Sequence, residues 1–424
     1  MMINEDKINF NKKKIIIKKT CVLCSSKNIK KVINFKKTPL ANSYPKTKLE
    51  KEIYFNLSCV LCKNCGHLQL KELINPKLMF DNYLYVSGTS NVLVNHFKTY
   101  ADRVIKKLNL NYKSSILDIA CNDGTFLNFF IKKNFKTVVG VDPAKNLKKF
   151  NINKKIDFNT GYFSNTFSKK LKKKYGKFDL ITANNVFAHS PNLQNFTAGI
   201  KNLLSQKGVF IIEVSYLLTV LKKKTFDTIY HEHMSYHSLN PLIKFFQKFG
   251  LEIFDFDLID AQGGSIRIYI CHKNSKKVNK KKISLQIKKE LDNKVFSVKT
   301  YIQFYKDILN QKKRLRIILD KLKNKGLDII GYGAPAKLTT LSHVLDLTNK
   351  DLKVVIDDNQ LKQNRFVPGK RIIIKNSTYL KNLKSGYIII LAWNFFDSIK
   401  IKCKRINNKF MFIRPFPIPK IVKY

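Results

Sequence analysis

An apolar strand pattern that ends in an acid and leads through a tight turn into a helix constrains this chain more than any other feature. Residues 115–118 form the strand pattern, 119–124 the turn and 125–130 the helix. A second strand pattern, residues 137–142, also ends in an acid, Asp142. Alternating strands and helices of this kind predict an α/β fold with a doubly wound sheet, whose ligand lies at the carboxyl ends of the strands.

This strand, turn and helix are typical of a nucleotide-binding site. The turn brings backbone close to a ligand at a helix N-terminus, and an acid after the second strand can accept hydrogen bonds from ribose hydroxyls. The G-x-G-x-x-G fingerprint of dinucleotide binding is absent. Two more strand patterns, residues 178–183 and 208–214, extend the sheet. The predicted cofactor contacts are Asp118, Ala120, Asn122, Asp123, Gly124, Asp142, Asn184 and Asn185.

Two Cys-x-x-Cys pairs near the amino terminus predict a metal site. The pairs are formed by Cys21, Cys24, Cys62 and Cys65. Four thiolates on two such turns satisfy a tetrahedral zinc ion. Because four sulfurs leave no open coordination position, we expect a structural ion that holds residues 1–75 together, with the reactive site elsewhere. Cys59 breaks the spacing, and we interpret it as a buried strand cysteine.

The densest group of titratable side chains is Tyr230-His231-Glu232-His233, which follows the strand pattern at 208–214. A neutral imidazole can take a proton from carbon, and an adjacent carboxylate can orient the ring. His-x-His also permits a metal pair, although no third ligand stands at a helical spacing. A polar loop with a hydrogen-bonded histidine is the remaining alternative. We interpret this stretch as the site of a base.

Two further stretches are interpreted as substrate contacts. Tyr83 and Tyr85 stand in a hydroxylic, glycine-containing loop, where they either pack against a core or face a substrate. Residues 274–325 predict long helices that join two bodies, and a second Rossmann-like unit occupies 326–424. Its glycine turn contains Gly331, Gly333 and Lys337, which either bind a phosphate through backbone amides and one ammonium or serve helix–strand packing.

The chain has 424 residues and a net charge of +51, from 80 Lys and Arg against 29 Asp and Glu. Such a charge favours a polyanionic partner, but the lysines are spread almost evenly, as expected from the residue bias of an AT-rich genome. We therefore do not expect a nucleic-acid partner. The chain has no export segment and no run of roughly 18 apolar residues, so we expect a cytoplasmic protein without a membrane partner.

Taken together, these motifs resemble the sugar C-methyltransferase family, which acts on nucleotide-activated keto-deoxysugars. The resemblance rests on residues 65–70, 83–88, 121–125, 187–189, 230–233, 331–337 and 368–370. It implies a zinc-binding amino-terminal domain, a class I S-adenosylmethionine domain over 76–273 and a carboxyl-terminal Rossmann-like domain that helps to bind the nucleotide sugar. The usual first glycine of the class I methyltransferase motif is Ala120 here, a departure that narrows the turn.

The resemblance also implies roles for the reactive cluster. His189, Tyr230, Glu232 and His233 would lie around the sugar, with His233 as the base that removes a proton next to the ketone. His189 and a hydroxyl of Tyr83, Tyr85 or Tyr230 would then hold the developing oxyanion. Two rivals remain at this stage: an RNA methyltransferase that grips phosphates with its basic surface and cysteine module, and a catalytically idle carrier of nucleotide sugars.

Overall fold

The amino-terminal unit is built mainly from strands. The computed structural model describes residues 10, 13–415 and 417–422. The first elements are β1 (Ile15–Ile17), β2 (Ile29–Pro39), β3 (Tyr54–Cys62), β4 (Leu68–Leu70), β5 (Glu72–Ile74) and α1 (Lys77–Phe80). β1 pairs with β5, while β2, β3 and β4 form an antiparallel sheet. The cysteine pairs lie just before β2 and at the end of β3, so this sheet brings them together.

The middle unit alternates strands and helices. Its elements are α2 (Asn91–Leu108), β6 (Ser115–Ile119), α3 (Thr125–Ile131), β7 (Thr137–Asp142), β8 (Asp157–Thr160), α4 (Asn165–Tyr175), β9 (Phe178–Asn184), α5 (Leu193–Leu203), β10 (Leu204–Ser215), α6 (Leu217–Lys223), β11 (Ser235–Tyr236), α7 (Leu239–Gln247), β12 (Leu251–Ile259) and β13 (Ser265–His272).

Seven of these strands form one sheet in the order β12-β13-β10-β9-β6-β7-β8. All neighbours are parallel except β13, which runs antiparallel to both β10 and β12. β6 and β9 are nearly continuous buried runs, as expected for central parallel strands covered on both faces. The strand order reverses between β6 and β9, and ligands bind at such a switch point.

The carboxyl-terminal unit repeats this plan on a smaller scale. It follows two helices, α8 (Lys280–Asp292) and α9 (Val298–Lys323). Its elements are β14 (Ile329–Tyr332), α10 (Leu338–Val344), β15 (Val355–Ile356), β16 (Ile374–Lys375), β17 (Gly386–Ile390), α11 (Phe396–Ile406), β18 (Phe410–Arg414) and β19 (Lys420–Val422). The sheet order is β16-β15-β14-β17-β18-β19, parallel except for β19, with its switch point between β14 and β17.

The three units share one hydrophobic core rather than standing apart. A single buried cluster includes Leu57 of the amino-terminal unit, Phe187 and Ile229 of the middle unit, and Leu338 of the carboxyl-terminal unit. β11 belongs to the middle unit in sequence, yet it pairs with β4 in the amino-terminal sheet. A two-residue strand has no periodicity of its own, so this pairing has no signal in the sequence. We retain 1–75, 76–273, 274–325 and 326–424 as the proposed domain boundaries.

The long helices of residues 274–325 also support the middle unit. The carboxylate of Glu290 on α8 accepts hydrogen bonds from the backbone amides of Leu239 and Asn240 at 2.6 and 3.1 Å, which satisfies the N-terminus of α7. The Tyr216 hydroxyl donates to the same carboxylate at 2.7 Å. Within the described ranges, no helix combines the length and apolar character needed to span a membrane.

Candidate active site

A cavity of about 1810 Å³ is lined by residues of all three units. Asn42 comes from the amino-terminal unit, Asp118 and Asp142 from the carboxyl ends of β6 and β7, and Asp357 and Trp393 from the corresponding edge of the carboxyl-terminal sheet. A single small-molecule pocket measures roughly 300–1,000 Å³. The cavity is therefore large enough for two ligands.

Asp142 closes the turn that follows β6. Its carboxylate accepts hydrogen bonds from the backbone amides of Asn122 and Ala144, both at 2.9 Å. Burial raises the pKa of this carboxyl to about 6, against the opposing effect of those two amide donors. Both oxygens are thus oriented by backbone while the residue lines the cavity, which is the arrangement expected of an acid that accepts ribose hydroxyls.

Asp118 and Asn184 meet at the switch point. Asp118 accepts from the Thr182 hydroxyl at 2.5 Å and from the Asn184 amide nitrogen at 3.2 Å, and burial raises its pKa to about 7. The Asn184 side-chain oxygen is buried and has no hydrogen-bond partner within the described part of the chain, although the residue lines the cavity. An unpartnered buried acceptor at this position suits a polar ligand group, so the residues present fit an S-adenosylmethionine site.

Three residues of the turn after β6, all predicted as cofactor contacts, have a left-handed backbone conformation. Ala120 has φ 57°, Asn122 φ 57° and Gly124 φ 80°. Left-handed backbone costs a non-glycine residue about 1–2 kcal/mol. The alanine that replaces the usual glycine therefore keeps the glycine conformation at an energetic cost, and Ala120 still lines the cavity.

Asn122 and Asp123 hold a neighbouring loop. The Asn122 side chain accepts from the Ser87 amide at 2.8 Å and donates to the Tyr85 carbonyl at 3.0 Å. Asp123 accepts from the Gly88 amide at 2.8 Å and lies, like Gly124, outside the cavity lining. Asn122 lines the cavity and also positions the tyrosine loop, and the Asp123 side chain positions the same loop from outside the lining. Contact of Asn122, Asp123 and Gly124 with the cofactor stays a prediction.

Asn185 and His189 follow β9. Asn185 has φ 56°, and its amide donates to the Glu213 carbonyl at 2.7 Å, which joins this loop to β10. His189 lies in the cavity wall, where burial lowers its pKa to about 4. Its Nε2 atom is buried and has no hydrogen-bond partner in residues 10, 13–415 and 417–422, and the centroid of its ring lies 5.0 Å from that of His233. His189 is therefore a neutral imidazole available to a ligand.

His233 forms a pair with Tyr230. The His233 Nδ1 atom lies 2.8 Å from the Thr228 carbonyl oxygen, and Nε2 lies 2.9 Å from the Tyr230 hydroxyl. Because a carbonyl can only accept, Nδ1 carries the proton and Nε2 offers a lone pair to the phenol. Burial and the nearby His189 and Lys337 hold the pKa of His233 well below its usual range. The ring is thus neutral and oriented, as a base requires.

Glu232 has different partners from those the sequence predicted. Its carboxylate accepts from the Asn42 side chain at 2.8 Å and from the Tyr83 hydroxyl at 3.0 Å. Burial raises the pKa of Glu232 to about 7. The expectation that Glu232 orients an imidazole is corrected, because the carbonyl of Thr228 fills that role for His233. Instead, Glu232 connects the amino-terminal unit to the tyrosine loop.

His231 points away from the cavity. Its Nε2 atom lies 3.2 Å from the Asn56 carbonyl oxygen, and its ring packs edge-on against Phe55. The alternative in which His231 and His233 form a metal pair is therefore not supported by their orientation. In the described part of the chain, the four predicted cysteines are the one cluster of three or more side chains suited to a metal.

The tyrosine loop contributes to the cavity wall. Tyr83 and Tyr85 are both half-buried and both line the cavity. Burial raises the pKa of Tyr85 to about 12 and holds that of Tyr83 well above its usual range. Both phenols therefore stay protonated near neutral pH. The Tyr83 hydroxyl donates to Glu232, whereas Tyr85 can donate a hydrogen bond to a ligand.

The glycine turn of the carboxyl-terminal unit does not form the predicted phosphate cradle. The amides of Gly331 and Gly333 donate to the carbonyls of Val354 and Ile356 at 2.9 and 2.7 Å. They are consequently unavailable to an anion. A Cβ atom on Gly331 would lie 2.6 Å from a Leu391 methyl, so this glycine serves strand packing. Lys337, the third predicted member, does line the cavity.

Asp357 in the carboxyl-terminal unit repeats the hydrogen bonding of Asp142. It follows the second strand of its sheet and accepts from the Ala334 amide at 2.6 Å and the Asn359 amide at 2.8 Å. In both cases one amide belongs to the turn after the first strand of the sheet, and the other belongs to the residue two positions after the acid. Asp357 is not among the site residues predicted from the sequence, although its strand pattern, like the one at 137–142, ends in an acid.

The four cysteines form a compact cluster in the amino-terminal unit. Their sulfur atoms all lie within 4.8 Å of one another, with 3.6 Å between Cys21 and Cys65 and 3.5 Å between Cys24 and Cys62. None of the eight cysteines, all of them described, is in a disulfide. Four close thiols without disulfides fit a tetrahedral zinc ion. Cys59 is buried outside this cluster, as predicted.

The strand order and the turn after β6 define the middle unit as a class I S-adenosylmethionine-dependent methyltransferase fold. Three family models match the chain: a zinc-binding domain over residues 21–80, a methyltransferase domain over 94–255 and a C-methyltransferase C-terminal domain over 260–417. The chain is thus an S-adenosylmethionine-dependent C-methyltransferase that contains a zinc-binding amino-terminal domain.

Several known proteins are similar to the chain. The C-methyltransferase NovU of Streptomyces niveus is 28% identical over 405 residues, which cover 95% of this chain and 96% of that protein. A magnesium protoporphyrin IX methyltransferase of Synechocystis, solved with bound SAH, is 16% identical over 42% of this chain and 83% of its own, with a TM-score of 0.32. A Pyrococcus horikoshii protein is 16% identical over 47% and 98%, with a TM-score of 0.36.

Replacement of Asp142 by alanine should weaken S-adenosylmethionine binding by about 1–3 kcal/mol, because charge-assisted hydrogen bonds to the ribose are lost. Calorimetric titration measures the affinity. Asp357→Ala is the matched control, since it removes the same arrangement from the other sheet and should leave this affinity unchanged. Equal affinities for wild type and Asp142→Ala would place the ribose elsewhere.

Proposed function

We propose that this C-methyltransferase transfers the methyl group to the carbon next to the ketone of a nucleotide-activated keto-deoxysugar. One observation carries the proposal: a single cavity is lined by two acids with matching hydrogen bonds, Asp142 and Asp357, and by the Tyr230–His233 pair. Two ribose-type acids suit two nucleoside ligands, the methyl donor and a nucleotide-linked substrate. The resemblance of the motifs to sugar C-methyltransferases supports the same substrate class.

Methylation at carbon requires a base, because carbon becomes nucleophilic only after a proton is removed. A proton next to a ketone is weakly acidic, and its removal leaves an enolate whose charge lies largely on oxygen. The neutral imidazole of His233 is the proposed acceptor of this proton. S-adenosylmethionine, when bound, supplies an electrophilic methyl group on a sulfonium.

The proton is proposed to reach His233 through Tyr230. The Tyr230 hydroxyl donates to Nε2, the unprotonated nitrogen of the ring. The phenol therefore lies at the one ring atom that can accept a proton. As the carbon–hydrogen bond breaks, the phenol oxygen takes the proton and passes its own to Nε2. Burial keeps the pKa of Tyr230 well above its ordinary value, so a lasting phenolate is not formed. Proton transfer through the phenol is concerted in this proposal.

The developing enolate oxygen needs hydrogen-bond donors. His189 offers a neutral ring whose Nε2 has no hydrogen-bond partner among the described residues, and Tyr85 offers a hydroxyl in the same cavity. Tyr83 is held by Glu232, which fixes its ring at the cavity wall. Donors that are fixed before the reaction stabilise an oxyanion without reorganisation.

The free cysteine thiols accord with a reducing compartment, and a cytoplasmic location is part of this proposal.

Methyl transfer from labelled S-adenosylmethionine tests the proposed substrate class. We expect label in at least one member of a panel of nucleoside diphosphate 4-keto-6-deoxyhexoses, attached to a ring carbon next to the ketone. The same sugars reduced to the 4-alcohol are the matched control and should remain unlabelled, because they cannot form an enolate. Label in RNA, or label in the reduced sugars, would contradict the proposal.

A further inference from the structure

Two lysines are buried among the described residues that line the cavity. Lys337 has 9% of its surface exposed and Lys362 has 6%. Lys362 donates to the Ala334 carbonyl at 2.8 Å, next to the turn that Asp357 closes. The Lys337 Nζ atom lies 5.6 Å from the centroid of the Trp393 ring, near the loop that contains Tyr230 and His233. The other cavity-lining cations are at least partly exposed.

The loop that bears His233 is fastened to the element that bears Lys337. Lys337 immediately precedes α10, and one turn later the Thr340 hydroxyl donates to the Ile229 carbonyl at 2.7 Å. On the other side, the Trp393 indole donates to Asp227 at 2.6 Å. These bonds set the Lys337 side chain beside residues 227–233. The charge of Lys337 accordingly lowers the pKa of His233, while Asp227 partly offsets the lowering of the Lys337 pKa by burial.

Three of the backbone amides that a phosphate at this position would use are already engaged. The amides of Gly331, Gly333 and Ala334 donate to Val354, Ile356 and Asp357. α10 has only seven residues. A phosphate on this turn would also lie close to the buried carboxylate of Asp227. A single developing negative charge on a ketone oxygen is better matched to one ammonium.

We propose that Lys337 is a catalytic residue whose ammonium donates a hydrogen bond to the enolate oxygen that forms during proton abstraction. This assignment rests on the proposed function. The carbon–hydrogen bond breaks, its electron pair becomes the carbon–carbon double bond of the enolate, and the former carbonyl oxygen carries the charge next to Lys337. The proton passes through Tyr230 to His233. The donors His189 and Tyr85 are uncharged, so Lys337 supplies the positive charge that this step requires.

Lys337→Met tests the assignment through solvent exchange and binding measured on the same enzyme. The substrate is whichever panel sugar wild type methylates fastest, incubated with S-adenosylhomocysteine in deuterated water. We expect deuterium incorporation at saturating sugar to fall by about 100-fold or more, the effect of removing one oxyanion donor. The affinity for the corresponding nucleoside diphosphate, measured by calorimetry, should stay within a factor of two. Lys362→Met should show the opposite pattern, with weaker diphosphate binding and a smaller change in the exchange rate at saturation.

Weaker diphosphate binding by Lys337→Met with an unchanged saturated exchange rate would overturn the assignment and make Lys337 a phosphate ligand. An unchanged rate with unchanged affinity would also overturn it. Lys337→Met removes the positive charge near Asp227, and this loss could prevent folding. In that case the double variant Asp227→Asn with Lys337→Met removes both charges and is tested by the same two measurements. Absence of exchange by wild type on every sugar would reject the proposed function itself, which distinguishes the two failures.

Discussion

His233→Ala is expected to stop the enzyme from washing deuterium into the carbon next to the sugar ketone while both ligands still bind. Enolisation does not require the methyl group, so the exchange is measured with S-adenosylhomocysteine in deuterated water. The expected loss is about 10²–10⁴-fold, the usual contribution of a positioned base. Binding should persist because the His233 ring is held by Thr228 and Tyr230 rather than by the cofactor residues.

Two other variants sharpen this test. His231→Gln is the matched control: His231 lies two residues away and bonds to the Asn56 carbonyl outside the cavity, so its exchange rate should remain close to that of wild type. Tyr230→Phe should lose exchange as fully as His233→Ala if the proton passes through the phenol. Exchange by His233→Ala at the wild-type rate would transfer the role of base to Tyr230 or His189.

Cys62→Ser is expected to lose the zinc ion and to unfold the amino-terminal unit. The wild-type chain should contain one zinc, and binding of a structural zinc contributes about 10–16 kcal/mol to folding in zinc-finger peptides. A unit of this size has too small a core to persist without its metal. Metal analysis in reducing buffer and limited proteolysis of residues 13–75 measure the two effects.

The same variant should also reduce catalysis, although the cysteines lie outside the cavity lining. Asn42 of the amino-terminal unit holds Glu232, the Tyr44 hydroxyl donates to the Ala334 carbonyl at 2.5 Å, and β4 pairs with β11 just after His233. Cys59→Ser is the matched control, because Cys59 is buried in the same sheet but is not in the sulfur cluster; it should keep its zinc. A zinc-free wild type, or a Cys62→Ser variant with full zinc content, would contradict this prediction.

The cavity combines groups from three units. The second strand of the middle sheet ends at Asp142, the second strand of the carboxyl-terminal sheet is followed by Asp357, and both acids line the cavity together with Tyr230 and His233. The amino-terminal unit contacts both of the other two. The Asn42 side chain donates to Glu232 of the middle unit at 2.8 Å, and the backbone amide of Phe366 in the carboxyl-terminal unit donates to the Pro45 carbonyl at 2.9 Å. Zinc binding far from the reaction is thereby connected to the geometry of the active site.

Local features of the chain were determined by the sequence alone. The strands that end at Asp118 and Asp142, the two cysteine pairs and the long helices of residues 274–325 were all predicted, because strand alternation, metal-ligand spacing and helical periodicity are encoded over a few consecutive residues. The predicted members of the cavity wall Tyr83, Tyr85, His189, Tyr230 and His233 also come together there. Their motifs supplied that expectation.

Only the tertiary structure decided which of these side chains face one another. Glu232 and Asn42 are 190 residues apart, and Trp393 and Asp227 are 166 apart, so no local pattern could reveal either pair. The amides of Gly331 and Gly333 likewise donate to carbonyls of a neighbouring segment. His231 points away from the cavity, although its sequence neighbour Tyr230 lines that cavity. A motif specifies which groups are present. Hydrogen bonds between distant segments decide which of those groups remain available to a ligand, because a donor or acceptor already satisfied within the fold is lost to it.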